Sequence, residues 1–269
     1  MEAALRFGVF IGIFALTAVL ELLMPRRPRT QPAGHRWLIN LGILLVDVAA
    51  QRLTVGAAAF GAALWAEQRG IGLFHLLAWS GWLKAVLGFL VLDAAIWLQH
   101  VFTHKVPLLW RLHQVHHADL DVDLTTGIRF HPIEIVLSLL YKAAIVLALG
   151  IDPWTVLLFE AVLNASAVFT HGNVALPARL DAALRWLVCT PDMHRVHHST
   201  ERAETDSNYG FFLSIWDRLF RTMRDAPAKG QLGMELGLPS YRDPGRLGVG
   251  SLLAMPFMRR SRGRPHGPG

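Results

Sequence analysis

The sequence predicts an all-α integral membrane protein, a transmembrane helical bundle with a histidine-rich helical cap on its cytoplasmic side. Three observations predict it. Of 269 residues, 53% are hydrophobic and 17% charged, and the mean hydropathy is +0.36. A soluble domain of this length is rarely so apolar. Apolar runs of membrane-spanning length alternate with short polar breaks. Three histidine clusters stand at helical spacing, and counting crossings places all of them on one side of the bilayer.

Residues 3–24 form an apolar run long enough to cross as a helix, stopped by Pro25-Arg26-Arg27-Pro28. No small-residue cleavage site accompanies it, so it reads as a retained helix and not a signal peptide. Arg26, Arg27 and Arg29 assign the next loop to the cytoplasm and the N-terminus to the outside. Trp37 to Trp65 is apolar except for Asp47, Gln51 and Arg52. Either Asp47 and Arg52 pair inside the bundle, or they mark a break between two shorter helices, with Arg52 reaching water. Residues 67–80, with Gly70 and Gly72, read as a turn and a short interfacial segment. Trp82 to about Val101 then returns to the cytoplasmic side, carrying Asp93 on roughly the face of His100. Asp93 is either an acceptor behind that imidazole or a paired polar residue.

Pro107 interrupts the pattern, and Leu108 to His117 opens a helix at the membrane surface. Asp119, Asp121 and Asp123 alternate in a loop without the glycine that a calcium-binding EF-hand requires. Residues 133–149 and 154–169 are apolar and flank a turn at 150–153; being short, they form a hairpin or a tilted pair. After Pro177 the chain turns soluble in character. It has an amphipathic stretch at 179–188, a helix start at Thr190-Pro191-Asp192, a turn at Asn208-Tyr209-Gly210 and an aromatic run at 211–220. Residues 1–255 read as one membrane-embedded domain with its cap, and residues 256–269 as a basic disordered tail.

The histidines carry the chemistry. His100 and His104 stand four apart, and His113, His116, His117 and His194, His197, His198 repeat an i, i+3, i+4 pattern. Both spacings stack imidazoles on one helix face. Neutral imidazole ligates iron, zinc, copper and nickel. Eight histidines exceed what one ion uses, so the boxes predict two metals held between helices. A closed zinc site takes four ligands, often cysteine, and this chain has only Cys189, which also excludes an internal disulfide. The net charge of +6 sits beside apolar runs and in the tail, a pattern of lipid anchoring and not of nucleic-acid binding. Without bridging glutamates, tuning acids must stand behind the imidazoles, with Asp192 and Glu134 as candidates. A metal pair beside a membrane cavity suits O2 activation against an unreactive C–H bond of a lipid. That needs a redox metal, and spacing does not separate iron from zinc. A non-redox membrane zinc-binding or metal-handling protein is therefore the alternative.

The succession HVFTH (100–104), HQVHH (113–117), RFHPIE (129–134), FTHGN (169–173), TPDMHRVHHS (190–199) and NYGFFLSIWDRLFRT (208–222) resembles the fatty acid hydroxylase superfamily, in particular bacterial sterol desaturase-like proteins. The resemblance covers about residues 37–223. It implies a non-haem di-iron enzyme of the bacterial inner membrane, with its active site facing the cytoplasm, that hydroxylates or desaturates a lipid using O2. No fused cytochrome or ferredoxin domain is read, so electrons are expected from a separate protein of either type. The implied iron ligands are His100, His104, His113, His116, His117, His171, His194, His197 and His198. His131 is a tenth ligand or a donor behind the ligands, the latter preferred, with Arg129 beside it in the same box; Asn173 completes a site or orients His171. Eight residues separate His104 from His113, unlike the longer gap of acyl-CoA desaturases. Arg221 departs from the family's usual glycine in WDxLFGT, which concerns the loop and not the boxes. His35, His75 and His266 match no box and read as structural or solvated. Nothing in the apolar helices distinguishes a sterol from an acyl chain.

Overall fold

The computed structural model describes residues 2–258. Among them every extended element is helical, and β pairing is confined to isolated bridges. In chain order the first twelve helices are α1 (Glu2–Leu23), α2 (Ala33–Thr54), α3 (Ala58–Arg69), α4 (Leu73–Leu76), α5 (Gly81–Lys105), α6 (Pro107–His117), α7 (Pro132–Leu149), α8 (Pro153–His171), α9 (Ala178–Leu184), α10 (Pro191–His197), α11 (Arg202–Thr205) and α12 (Ile215–Leu219). Five segments among the described residues are long and apolar enough to cross a membrane: Ala4–Leu23, Ala33–Leu76, Gly81–Lys105, Pro132–Leu149 and Pro153–His171. The chain is a multi-pass integral membrane protein.

Local chemistry sets the breaks. Gly56 takes a left-handed φ of +55° between α2 and α3, a conformation that costs glycine little. The interruption near Asp47 and Arg52 is thus a break between two helices. Arg52 is exposed, whereas Asp47 is buried and its Oδ1 has no hydrogen-bond partner among the described residues. The α7–α8 turn combines Gly150 in the left-handed region, Asp152 accepting from the Thr155 N–H at 2.9 Å, and Pro153 opening α8. Gly72 packs so closely on the Gly150 backbone that a Cβ there would stand 2.1 Å from the Gly150 nitrogen. That contact joins the α3–α4 link to the end of the α7–α8 pair remote from the histidines. Ala59, Ala63, Leu92, Ile96, Val146, Val156 and Phe159 fill the space between α3, α5, α7 and α8.

At the histidine end, loops are joined by charge. Arg36, buried at the start of α2, donates to Asp119 through Nε at 2.9 Å and Nη2 at 2.7 Å, and to Asp123 through Nη1 at 2.5 Å. Burial alone would raise the Asp119 pKa, but Arg36 and Arg129 outweigh it and hold the carboxyl well below the usual range. Asp121 accepts from the backbone N–H groups of Thr30 and Gln31 at 2.8 and 2.6 Å. The acidic run thus fastens the 119–123 loop to the loop after α1. The arginines expected to anchor on lipid are turned onto the protein. Arg26 Nε meets Asp192 at 2.9 Å, Arg29 meets Glu21 at 2.8 Å, and Arg27 donates to the Met234 carbonyl at 2.8 Å.

The region past Arg221 is more ordered than its loop-like sequence. It includes a helix at Val249–Ala254 and a 3-10 turn at Met255–Phe257, in which Met255 is buried against the α6 side. Of the expected tail, residues 256–258 belong to this turn and the residue after it. Its remainder, 259–269, lies outside the described residues.

Candidate metal centre

Four helix ends converge here. α5 contributes His100 and His104 from its last turns, and Pro107, as the first residue of α6, turns the chain so that His113, His116 and His117 follow. His171 is the last residue of α8, while α10 carries His194 and His197 with His198 at its C-cap. All nine rings are buried.

They fall into two groups. His100, His104, His113, His117 and His197 form one, and His116, His171, His194 and His198 the other; within each, one ring nitrogen per residue lies within 4.8 Å of the rest. The division cuts through both HxxHH boxes. His113 and His117 share a face of α6, while His116, a third of a turn away, looks to the other group. In α10 the same pairing recurs with the groups exchanged, His194 and His198 joining the four-histidine group and His197 the five-histidine group.

Hydrogen bonds fix the ring states. His100 Nδ1 lies 2.7 Å from the Tyr209 carbonyl, His116 Nδ1 3.2 Å from that of Arg129, His171 Nδ1 2.6 Å from that of Ala167, and His197 Nδ1 2.6 Å from that of Ser207. A carbonyl only accepts, so each Nδ1 carries the proton, and a neutral ring then has a bare lone pair on Nε2. Glu134 Oε1 plays the same part for His113 Nδ1 at 2.6 Å. Yet His100 Nε2 faces His113 Nε2 at 3.1 Å, and His116 Nε2 faces His171 Nε2 at 3.0 Å. Lone pairs that close repel unless a cation stands beside both. Two nitrogens at the ~2.1 Å length of a metal–imidazole bond come about 3 Å apart when they are neighbours around one ion.

A proton is a poor substitute for that cation. Burial, followed by the neighbouring imidazoles, holds His116, His117, His194 and His198 well below the ordinary histidine pKa, and burial brings His197 to about 3. The ring nitrogens of His104 and His198, Nε2 of His117 and His197, and Nδ1 of His194 have no hydrogen-bond partner among the described residues. Such groups are costly when buried alone. The donor set fits late first-row metal ions in both groups.

The other candidates are placed as follows. Glu134 is the one acidic candidate that bonds a clustered imidazole. Arg129 serves through its carbonyl, while its side chain donates to the Val115 carbonyl at 3.0 Å and to Asn40 at 3.2 Å. Both nitrogens of His131 are engaged by backbone, Nδ1 accepting from Ile133 N–H and Nε2 lying 3.2 Å from the Leu253 carbonyl, so it caps α7 outside both groups. Asn173 exchanges hydrogen bonds with the Arg27 backbone, at 3.0 and 2.9 Å. Asp192 pairs with Arg26 and with Arg195, the latter at 2.6 Å. Asp93 accepts from Trp216 Nε1 at 2.7 Å and from no imidazole among the described residues.

Four contributors had no sequence signal. The Tyr209, Ser207 and Ala167 carbonyls are backbone groups, which any residue supplies. Tyr209 is also fully buried, its ring 5.2 Å from that of His104 and its hydroxyl without a partner among the described residues. Asp217 sits behind it, accepting from Tyr209 N–H at 3.0 Å, Gly210 N–H at 2.8 Å and Trp97 Nε1 at 3.1 Å. Its place in the aromatic run was visible, but not its partners.

Ornithine lipid hydroxylase OlsE of Rhizobium tropici is 28% identical over 94% of this chain and 76% of its own length. Alkylglycerol monooxygenase of Xenopus tropicalis is 30% identical over 78% of this chain, and that of Homo sapiens 27% over 84%. The chain spans under half of each monooxygenase, 45% and 48%. No solved structure gives a significant match. Residues 85–222, about half of the chain and all nine clustered histidines, match the family described as fatty acid hydroxylase, and the chain belongs to that family.

Proposed function

We propose that this chain is a membrane-bound oxygenase that hydroxylates a lipid, holding one iron ion in each histidine group and taking electrons from a separate ferredoxin- or cytochrome-type protein. The observation that carries the reading is the two facing pairs of bare nitrogens, His100 with His113 and His116 with His171, each ring having committed its proton to an acceptor on the far side. Relatives named as an ornithine lipid hydroxylase and alkylglycerol monooxygenases favour hydroxylation of a lipid over desaturation. A paired iron centre supplies the means of activating O2 against a C–H bond. The reaction consumes a C–H bond, O2, two electrons and two protons and yields C–OH and water, so a reductant is required.

The protein's own part is positional. Carbonyls of Tyr209, Arg129, Ala167 and Ser207, with the Glu134 carboxylate, fix five rings with Nε2 inward. Burial keeps water from these nitrogens, and an imidazole binds metal through its unprotonated nitrogen. Residues 1–255 act in this reading as one domain. The histidine end faces the cytoplasm of a bacterial inner membrane, where soluble reductants are found.

The test is purification in mild detergent, elemental analysis, and incubation with a dithionite-reduced ferredoxin, O2 and extracted membrane lipid. The expected result is two iron ions per chain and a lipid product 16 mass units heavier, carrying 18O from 18O2. Zinc as the tightly held native metal, with no O2 consumed after iron loading, would instead establish the metal-handling alternative.

A further inference from the structure

The chain after Pro177 reads as soluble, yet one part of it is built unlike a soluble surface. α9 buries none of its residues, and beyond it Trp186 and Leu187 are 69% and 59% exposed. Leu219 and Phe220, at the end of α12, are 67% and 55% exposed. The two stretches form one unit, because Ser214 N–H donates to the Leu187 carbonyl at 3.1 Å and Cys189 N–H to the Phe212 carbonyl at 2.8 Å, around an antiparallel bridge of Val188 with Leu213.

This unit is fastened along α5, not below it. Asp93 accepts from Trp216 Nε1, Asp217 accepts from Trp97 Nε1, Phe220 stacks on Trp97 at 4.6 Å, and the Phe212 ring meets Phe89 at 5.9 Å. At about 1.5 Å per residue, Trp97 lies roughly 12 Å, Asp93 roughly 18 Å and Phe89 roughly 24 Å from the Lys105 end of α5. Gly81–Lys105 is itself a candidate span. The unit therefore packs on the span itself, from its middle toward its histidine end. Its edge has the mixture of a membrane interface: the Arg218 guanidinium lies 4.4 Å over the Trp186 ring, with exposed Arg179 and Arg221 nearby in the chain.

We infer that residues 185–189 and 211–220 form a wedge inserted at the headgroup–acyl boundary of the leaflet on the histidine side. Trp186, Leu187, Leu219 and Phe220 touch lipid, and the arginines reach phosphate. The occupant is lipid and not a second copy of the chain, because a two-fold partner would bring the same arginines against these. On its inner side the wedge presents Phe211, whose ring is 4.9 Å from that of His100, so the wedge abuts the first histidine group. The inference needs only that α5 spans, and stands whatever the reaction is.

The test uses full-length protein in nanodiscs of phosphatidylcholine and phosphatidylglycerol, with nitrobenzoxadiazole attached at Leu187→Cys or Leu219→Cys. Cys189 is buried and stays in place, the parent chain serving as the unlabelled control. Leu16→Cys on α1 is the lipid reference and Leu232→Cys the water reference, both being exposed positions. The expected result at 187 and 219 is quenching by acyl-chain bromolipid comparable to position 16, with iodide quenching about threefold below that at 232, as insertion at the boundary requires. Iodide quenching equal to 232 without bromolipid quenching would overturn the wedge. So would protection from both quenchers with cross-linking between copies through 187. If Leu219→Cys does not accumulate, Trp186→Cys reads the same face.

Discussion

Glu134 Oε1 accepts a hydrogen bond from His113 Nδ1 at 2.6 Å, tying the first turn of α7 to a ring on α6. A carboxylate behind a ligating imidazole typically changes metal affinity by about 10–100-fold. Glu134→Ala is expected to weaken metal binding by that factor in a chelator competition. Glu134→Gln keeps an acceptor oxygen and should retain most of the affinity. Equal losses would show that the charge matters and not the orientation.

The division of the histidines gives a sharper prediction than the boxes. His197→Ala removes a member of the five-histidine group and His194→Ala one of the four-histidine group. Each variant is expected to hold about one ion per chain where the parent holds two, because a missing ligand leaves a vacancy in one group alone. Cobalt-loaded samples should give two different visible spectra, since the groups offer different numbers of imidazoles. His75→Ala should bind like the parent, and identical spectra from the first two would contradict the division.

Acid should destabilise the metal-free protein. Burial lowers His197 to about 3, against about 6.5 for an unfolded histidine, and lowers His116, His117, His194 and His198 likewise. The folded chain then binds fewer protons than the unfolded one. The contribution of these rings is fully present above pH ~6.5 and is lost as the pH falls from there toward about 3. Thermal unfolding of the metal-free protein in detergent should show Tm falling from pH 7 to pH 5, with a smaller fall when metal is bound. A flat profile for the metal-free protein would mean that the rings are not buried neutral.

Arg221 occupies a left-handed φ of 59° directly after α12, where the N–H of Thr222 returns to the Asp217 carbonyl at 2.8 Å. The loop keeps the form that glycine would give it, and a side chain is strained there by about 1–2 kcal/mol. Arg221→Gly is expected to raise stability by about 1 kcal/mol in thermal unfolding. Arg221→Ala controls for the lost charge, and a gain equal to that of glycine would remove the backbone explanation.

How far the sequence could be read follows from which groups have side-chain signatures. The boxes were legible because a ligand must be a histidine and a helix fixes the spacing. The break after Arg52 was legible only as one of two alternatives, because a charge in an apolar run either finds a partner in the bundle or marks a helix end. The sorting of each HxxHH box into two groups was not, since it depends on how α6 and α10 approach each other. Nor were the acceptors of His100 and His197, because a carbonyl belongs to every residue alike. Asp192 read as an acid near the third box, but its partners are Arg26 and Arg195, both drawn by charge from outside the imidazole cluster.

The acceptors also carry a consequence for biosynthesis. His100 leaves the ribosome long before Tyr209, whose carbonyl orients it, and Tyr209 is in turn held by Asp217. His171 is synthesised before His194, whose Nε2 it faces at 3.1 Å. The five candidate spans can therefore be threaded into the bilayer while neither histidine group is complete. A nascent chain that has not reached Asp217 has ligands but no finished coordination site, so metal loading follows the synthesis of that segment.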